Sequence, residues 1–202
     1  MSVAVILYHR GMSRWEPDAR GRLQLAAMEL YVERGFEQTT VAEIAERAGL
    51  TERTFFRHFA DKREVLFSGQ DELLELFVSA VAGAPDDASP LEAVAAALRA
   101  AAVEFEPRRP WSQERGRVIS ANPGLQEREL IKLARMSSAV AEALRARGVD
   151  EPAASLAAQS GTAVFHVGFA QWIDADNTRE FSQIITEALA TLKVVAAGAS
   201  SD

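Results

Sequence analysis

The stretch that decides the fold reads TTVAEIAERAGLTERTFFRHFADKR and spans residues 39–63. Its first half repeats apolar residues at i, i+3, i+4 and i+7, the spacing of one helix face: Val41, Ile44, Ala45 and Ala48. Thr40 and Glu43 have capping-box spacing at the start, and Gly49 provides the left-handed conformation that helix ends commonly need. The stretch therefore predicts a short helix, a tight turn and a second short helix.

The second half of the stretch separates charged from aromatic side chains. Thr51 is a suitable N-cap for a helix over residues 52–59. At about 100° per residue, one side holds Phe55 and Phe59, the other holds Arg53, Thr54 and Arg57, and Phe56 and His58 lie on the flanks. An outward arginine face suits guanine edges and phosphates in a major groove about 12 Å wide. The alternative is an ordinary helical hairpin with a solvated charged face.

A family resemblance favours the first interpretation. Its motifs are Arg34-Gly35-Phe36, Thr39-Thr40-Val41, Ile44-Ala45, Ala48-Gly49 and an aromatic-His-Phe-x-x-Lys tail, all within residues 20–66. This segment resembles the N-terminal domain of the TetR family of one-component transcriptional regulators. The resemblance implies an all-α fold: a three-helix helix-turn-helix DNA-binding domain, then a larger helical domain that binds a ligand and dimerises.

The resemblance also implies a set of DNA contacts. By resemblance Thr40, His58 and Lys62 contact phosphates, and the complete predicted set is Thr40, Thr51, Arg53, Thr54, Phe56, Arg57, His58 and Lys62. At the position of Phe56 the family usually has a tyrosine whose hydroxyl commonly donates to a phosphate. Phenylalanine packs there but cannot donate, so that contact is expected to be missing.

Composition restricts the class of protein. The chain has 202 residues, 48% of them hydrophobic, which is enough for a sizeable core. No run approaches the roughly 18 apolar residues of a membrane span, and the run at residues 3–7 is too short and lacks a basic leader for secretion. We therefore expect a cytoplasmic protein with no membrane partner. The absence of cysteine removes thiolate metal sites, disulfides and cysteine nucleophiles.

The net charge of −7 opposes DNA binding by the chain as a whole, but the charge is unevenly distributed along the sequence. Between residues 51 and 63 the cations are Arg53, Arg57, Lys62 and Arg63, against Glu52 and Asp61. An acidic body with a small basic tip repels DNA in every orientation but one, which favours short specific contacts.

Catalytic groups are scarce. His9 lies in the N-terminal tail, His58 in the DNA hairpin, and His166 has no His, Asp or Glu at i±3 or i±4. No glycine-rich phosphate loop is present. We expect no enzyme activity, no cofactor and no metal. The alternative to a regulator is a helical ligand-binding or interaction module without operator recognition.

The rest of the chain has helical patterns throughout. Residues 1–16 are predicted to be a flexible arm, in which Arg10 and Arg14 are candidates for minor-groove contacts and Met12 is an alternative translation start. Residues 17–66 form the predicted DNA-binding domain and residues 67–202 the effector-binding and dimerisation domain. One helix is predicted over residues 62–82, followed by a loop at 83–87, a capping box at 89–92 and proline breaks at 107 and 110.

The last two predicted helices carry a face of small and apolar residues. These are Ala154, Ala157, Ala158, Gly161, Phe165, Gly168 and Trp172 in one helix, and Phe181, Ile184, Ile185, Ala188 and Leu192 in the other. In the resembling family these two helices pair with their counterparts across a twofold axis, so we assign the set to a homodimer interface. The alternative is packing within the core of one chain. Two recognition helices about 34–36 Å apart then read a palindrome.

The effector is less well defined by the sequence. Aromatic and flexible residues near helix ends and breaks are candidates to line its cavity: Phe77, Phe105, Trp111, Met136 and His166. For each of them, a place in the ordinary core is the alternative. The prediction is a dimeric repressor of a double-stranded DNA operator, released by a small, largely apolar effector; an activator uses the same fold.

Overall fold

The computed structural model describes residues 18–198, which form helices and no strand. The α-helices are α1 (Ala19–Arg34), α2 (Val41–Arg47), α3 (Glu52–His58), α4 (Lys62–Phe67), α5 (Gln70–Ala82), α6 (Pro90–Phe105), α7 (Arg109–Ser120), α8 (Pro123–Ala146), α9 (Ala153–Trp172) and α10 (Phe181–Ala196). A 3-10 turn, Glu106–Arg108, joins α6 to α7. The predicted all-α fold is confirmed. The predicted arm, with Arg10, Met12 and Arg14, lies outside the described residues.

The first compact unit contains the helix-turn-helix segment. It comprises the described residues up to Ser68 together with Pro110–Leu125. Its core is formed by fully buried side chains from the first three helices, Leu23, Leu30, Ile44 and Phe55, which pack with Val118, Ile119 and Leu125 of the later segment. The predicted boundary after residue 66 differs from this division, because those three distant residues complete the core of the first unit.

Side-chain caps define the helix starts in this unit. Thr40 forms the predicted capping box with Glu43 before α2, and Asp18 caps α1 by accepting from Gly21 N at 2.8 Å. Asp61 accepts from the backbone of Arg63 and Glu64 at the start of α4. Each cap satisfies amide groups that have no partner inside the helix. Of these three caps, the Thr40 and Glu43 pair is the one that the sequence patterns predicted, and it is confirmed.

The predicted continuous helix over residues 62–82 is wrong. It divides at Ser68, which is extended, and Gly69, whose φ of 90° lies in the left-handed region. Apolar spacing continues through both segments, so periodicity does not reveal the break. The Ser68 hydroxyl donates to the Val65 carbonyl at 3.0 Å and accepts from Gln24 Nε2 at 2.5 Å. Both bonds hold the end of α4 within the first unit.

The second compact unit comprises Gly69–Arg109 and the chain from Gln126 onward. In it α6 packs against α5, α9 and α10, and α9 packs against α10. The core includes the fully buried side chains Leu98, Leu144, Trp172, Phe181 and Ile184. Ser89 and Glu92 form the predicted capping box at the start of α6. None of the helices between residues 18 and 198 combines the length and apolar character that crossing a bilayer requires.

Candidate DNA-binding site

The turn between α2 and α3 depends on glycine. Gly49 has φ of 64°, and its amide donates to the Glu46 carbonyl at 2.9 Å. A Cβ at this position would lie 2.9 Å from Nη2 of Arg22, whose guanidinium donates to the Ala48 carbonyl. The left-handed backbone conformation therefore favours glycine here, and a side chain would also displace the Arg22 guanidinium. The sequence predicted the turn, but Arg22 is 26 residues away from Ala48, so nothing local indicated its role.

The inner face of α3 anchors the helix. Phe55 is fully buried and Phe59 is nearly so, with their ring centroids 5.5 Å apart. Thr51 caps the helix by accepting from Thr54 N at 3.2 Å. The guanidinium of Arg20, which the sequence did not single out, lies 5.8 Å over the Phe59 ring. With one side buried in this way, the opposite side of α3 is fixed outward.

The outward face of α3 presents donors that the rest of the described chain leaves available. Arg53 and Arg57 are exposed, and among residues 18–198 neither forms an ion pair. Arg57 Nη2 lies 3.5 Å from Nε2 of the half-buried His58. The Phe56 ring is 56% exposed, an unusual position for a large apolar side chain. An unpaired arginine pair beside an exposed ring can contact an anionic partner and the apolar edge of a base or sugar.

The predicted threonine contacts already have partners inside the protein. Thr40 Oγ1 accepts from Glu43 N at 3.2 Å. The Thr40 amide and then its hydroxyl, each donating to Glu43 Oε2 at 2.9 Å, lower the pKa of that carboxyl. The hydroxyls of Thr51 and Thr54 lie 3.0 Å apart. Thr40 and Thr51 are exposed and Thr54 is half-buried. Their capping roles are observed, and their DNA contacts remain predictions.

Lys62 requires a correction. Its ammonium donates to the carbonyls of Phe36 at 2.8 Å, Glu37 at 3.2 Å and Thr39 at 2.9 Å, and lies 4.4 Å over the Phe36 ring. An ammonium has three donors, and all three are used. In this conformation Lys62 ties the start of α4 to the loop after α1, so none of its donors is left for a phosphate. The resemblance identified the residue but not this role.

A buried tyrosine reinforces the same junction. The Tyr31 hydroxyl donates to the Lys62 carbonyl at 2.6 Å. Burial, and secondarily the Asp61 carboxylate, raise the pKa of Tyr31, so the hydroxyl stays protonated as a donor. Arg63, which is exposed beside this junction, donates to Asp61 at 2.9 Å. Its charge is therefore partly balanced, unlike those of Arg53 and Arg57.

The predicted effector residues do not form one cluster. Phe77 and Met136 are buried in the core of the second unit, where Phe105 packs against Phe165 at 5.9 Å between ring centroids. Trp111 instead packs on the core of the first unit. His166 is exposed, so the alternative reading of it as a core histidine is wrong, and its contact with an effector stays a prediction. A histidine whose neighbours in sequence are apolar is still exposed when it lies on the outward side of its helix.

The predicted dimer face is buried within one chain. A Cβ at Gly161 would lie 2.1 Å from Cγ1 of Val94 on α6, and one at Gly168 would lie 3.1 Å from Cδ1 of Ile185 on α10. The remaining members are buried in the same core, apart from Ala188 and Leu192, which are half-buried: Ala154, Ala157, Ala158, Phe165, Trp172, Phe181, Ile184 and Ile185. The small residues admit α6 and α10 of the same chain, which corrects the assignment of this face to a dimer.

The opposite faces of the two helices carry exposed apolar residues. On α9 these are Leu156, 60% exposed, and Val167, 62% exposed, with Ala163 between them on the same side. On α10 they are Val194 and Val195, of which the second is 71% exposed. The spacing of Leu156, Ala163 and Val167 is i, i+7 and i+11, one continuous stripe along the helix. We call these five residues the outer stripe.

A helix-turn-helix with a buried inner face and an outward arginine face, followed by a helical second unit, defines a DNA-binding transcriptional regulator. Residues 25–68 match the family model described as bacterial regulatory proteins, tetR family, and residues 88–197 match the model described as MftR C-terminal domain. The second match alone covers more than half of the chain. The chain belongs to the TetR family of bacterial transcriptional regulators.

Curated relatives match over part of the chain. The regulator TcmR of Streptomyces glaucescens is 42% identical over 81 residues, 40% of this chain and 36% of TcmR. The activator FasR of Mycolicibacterium smegmatis is 33% identical over 72 residues, 36% of this chain and 33% of FasR. The repressor KstR2 of Mycobacterium tuberculosis is 41% identical over 59 residues, 29% and 28% of the two chains. The matched segments span about a third of these relatives' own lengths.

Solved structures share the fold over most of the chain. A TetR-family regulator from Syntrophomonas wolfei superimposes with a TM-score of 0.66 at 17% identity, covering 90% of this chain and 96% of that one. The repressor FadR of Thermus thermophilus, solved with lauroyl-CoA, gives a TM-score of 0.54 at 23% identity, covering 86% and 93%. At these identities the likeness establishes the fold.

Proposed function

We propose that this protein is a repressor that binds a palindromic operator as a homodimer and releases it when a small, largely apolar effector binds. The outward face of α3 carries the proposal: Arg53 and Arg57 are exposed and free of ion pairs within residues 18–198, on a helix anchored by Phe55 and Phe59. Residues 17–66 are the DNA-binding domain of this proposal, and residues 67–202 the effector-binding and dimerisation domain.

The proposal of a repressor, as opposed to an activator, is supported by the named roles of similar proteins. KstR2 and FadR are named repressors, whereas FasR is named an activator. Both kinds of regulator use one fold, so an activator is the alternative. A transcription assay with the selected operator placed over or upstream of a promoter separates the two: repression lowers transcript on adding protein, and activation raises it.

The proposed dimer uses the outer stripe of α9 and α10. A second copy related by a twofold axis would cover the same residues on both chains, as an isologous interface requires. Val167 and Val195 are more than half exposed on neighbouring helices, and together they provide apolar area that a second copy would bury. A dimer also doubles the operator contacts, since one α3 of seven residues reaches few base pairs.

The proposed effector site lies in the second unit. Two of the predicted residues, Phe77 and Phe105, both contact Phe165, at 5.7 and 5.9 Å between ring centroids. An apolar effector that separates these rings would repack α5, α6 and α9 against one another. FadR, which has this fold, was solved with lauroyl-CoA, a ligand with a long apolar chain. That likeness supports an apolar effector without identifying it.

The proposal is tested on an operator selected from random duplex DNA. Arg53→Ala or Arg57→Ala should each cost about 1–3 kcal/mol at particular base pairs and relax selection there, because a bidentate contact to guanine is lost. Arg108→Ala, an exposed arginine of the second unit that pairs with Glu104, is the matched control and should leave binding unchanged.

Titrations over a range of salt complete this test. Specific, salt-sensitive retardation of the operator supports a regulator, whereas no retardation at any salt would identify an interaction module without operator recognition. Equal operator affinity of the wild type and both arginine variants would remove α3 from base reading.

A further inference from the structure

The second unit contains a continuous aromatic cluster. It joins four helices and consists of Phe77, Phe105, Phe165, Phe169, Trp172 and Phe181. Trp172 lies at its end, stacked on Phe181 with ring centroids 4.8 Å apart and planes 19° apart, and 5.6 Å from Phe169. Every member contacts at least one other ring, so the cluster is the largest aromatic surface inside this unit.

One polar atom in this cluster is unsatisfied. Trp172 is fully buried, and its indole N–H has no hydrogen-bond acceptor among the described residues. The Trp172 backbone carbonyl does have a partner, because Asn177 Nδ2 donates to it at 3.3 Å. A buried donor without an acceptor is unfavourable and uncommon in proteins, and it requires an explanation. A phenylalanine would stack on Phe181 without this penalty.

Neighbouring polar groups are occupied elsewhere. The Arg109 guanidinium lies 5.9 Å over the Trp172 ring and donates to the carbonyls of Asn177 and Arg179. The Glu106 carboxylate accepts from Phe181 N at 2.7 Å at the start of α10. Both charged groups thus hold the loop before α10 in place. The guanidinium is a donor only, and the Glu106 carboxylate bonds to Phe181 N and not to the indole.

The edge of the cluster reaches the surface at two rings. Phe105 and Phe169 are half-buried, their ring centroids lie 5.4 Å apart, and each also contacts Trp172. In the proposal below, a ligand enters by rotation of these two side chains. A planar apolar ligand that enters here replaces contacts between protein rings with contacts between those rings and its own, and it brings an acceptor to the indole N–H.

We propose that Trp172 Nε1 is the hydrogen-bond donor of an effector site in this cluster, and that the effector is an apolar molecule bearing one neutral acceptor, such as a ketone or ester carbonyl. A carboxylate is disfavoured because an aromatic cluster offers an anion little solvation. This inference rests on the effector regulation proposed above and names the chemistry of that site.

A pair of probes of equal shape tests it: 2-acetylnaphthalene, a ketone, and 2-isopropenylnaphthalene, in which a methylene group replaces the oxygen. Binding is measured calorimetrically on the full chain. The preference for the ketone should fall about three- to tenfold in Trp172→Phe, the loss expected for one hydrogen bond. Trp111→Phe, a tryptophan of the first unit, is the matched control and should keep the preference.

The wild-type protein gives a second readout that does not depend on the stability of a variant. The chain has three tryptophans, so its indole N–H groups are resolved by proton–nitrogen correlation spectra. The ketone should move the Trp172 indole proton downfield, and the hydrocarbon should not. An unmoved proton, an unchanged preference in Trp172→Phe, or binding of neither probe overturns the proposal.

Operator affinity is measured in the same samples. If the ketone binds and shifts the Trp172 proton while operator affinity stays the same, the donor site stands and effector-controlled release fails. If the ketone also weakens operator binding, both are supported, and operator DNA must weaken ketone binding by the same factor.

Discussion

At the scale of single residues, Lys62 illustrates how a cation on a DNA-binding unit can have a structural role. Its ammonium serves three backbone carbonyls at the junction of α1, α2 and α4. Lys62→Met keeps the aliphatic stem and removes the donors, so we expect a loss of about 1–3 kcal/mol in the free energy of unfolding. Urea denaturation measures it.

Arg63 provides the comparison for that variant. It is exposed and pairs with Asp61 at the surface, so Arg63→Met should change stability by no more than about 0.5 kcal/mol. If Lys62→Met instead leaves stability unchanged and lowers the salt dependence of operator binding by about one ion, Lys62 contacts a phosphate after all.

At Phe56, in contrast to Lys62, we expect a substitution to strengthen DNA binding. The residue is 56% exposed on α3. Phe56→Tyr should tighten operator binding by about 0.5–1.5 kcal/mol through one new hydrogen bond to a phosphate, with no added discrimination between base pairs. Fluorescence anisotropy with the selected operator and with a scrambled one measures both effects. Weaker binding to the operator would place the ring away from the DNA backbone.

At the scale of helices, the contact between α6 and α9 depends on a missing side chain. A Cβ at Gly161 would lie 2.1 Å from Val94 Cγ1. Gly161→Ala should therefore destabilise the protein by about 1–3 kcal/mol through overpacking, despite the better helix propensity of alanine. In a Val94→Ala background the same change should become neutral or stabilising, because the obstructing methyl groups are gone.

A double-mutant cycle by thermal unfolding measures this coupling, which should exceed about 1 kcal/mol. Gly124 in the first turn of α8 is the control position, because nothing lies within 4 Å of a Cβ placed there. Gly124→Ala should not destabilise the protein. Additive effects of Gly161→Ala and Val94→Ala would mean that α9 lies against a different surface.

This contact also explains which part of the fold the sequence predicts. Apolar spacing and caps identify the helices and their buried faces, since both depend on residues close in the chain. The helix against which a buried face packs is not determined by residues close in the chain. Val94 and Gly161 are far apart in sequence, and small residues suit a neighbouring helix of either the same or a second chain. The same limit applies to Arg22, whose bond to the Ala48 carbonyl holds the turn.

The DNA-binding face was predictable for a related reason. The positions of Arg53, Phe55, Arg57 and Phe59 around α3 follow from one helical period, and the structure buries and exposes them accordingly. The effector residues were chosen from helix ends without any such rule. Trp172, which we now assign to the effector site, was predicted for the dimer face because periodicity shows that it is buried but not what it lacks.

At the scale of the whole molecule, charge and assembly determine operator binding together. The chain carries a net charge of −7, while α3 presents two arginines that form no ion pair within residues 18–198. In the proposed dimer, repulsion between the acidic body and DNA limits non-specific binding, and two recognition helices acting at once supply the affinity. Loss of the dimer should therefore reduce operator affinity far more than it reduces the stability of each chain.

Val167 on the outer stripe tests that link. It is 62% exposed in one chain, so Val167→Glu should change the stability of the monomer by no more than about 0.5 kcal/mol. Near a twofold axis the new carboxylate meets its own counterpart in a desolvated seam, which should shift the protein toward monomer. Sedimentation velocity over a range of concentrations measures the shift, and operator affinity should fall in parallel.

Val103→Glu places the same charge on α6, at a valine that is 72% exposed, and should leave the dimer intact. If Val103→Glu dissociates the dimer and Val167→Glu does not, the interface lies on α6, and the exposed valines of α9 and α10 require a different partner.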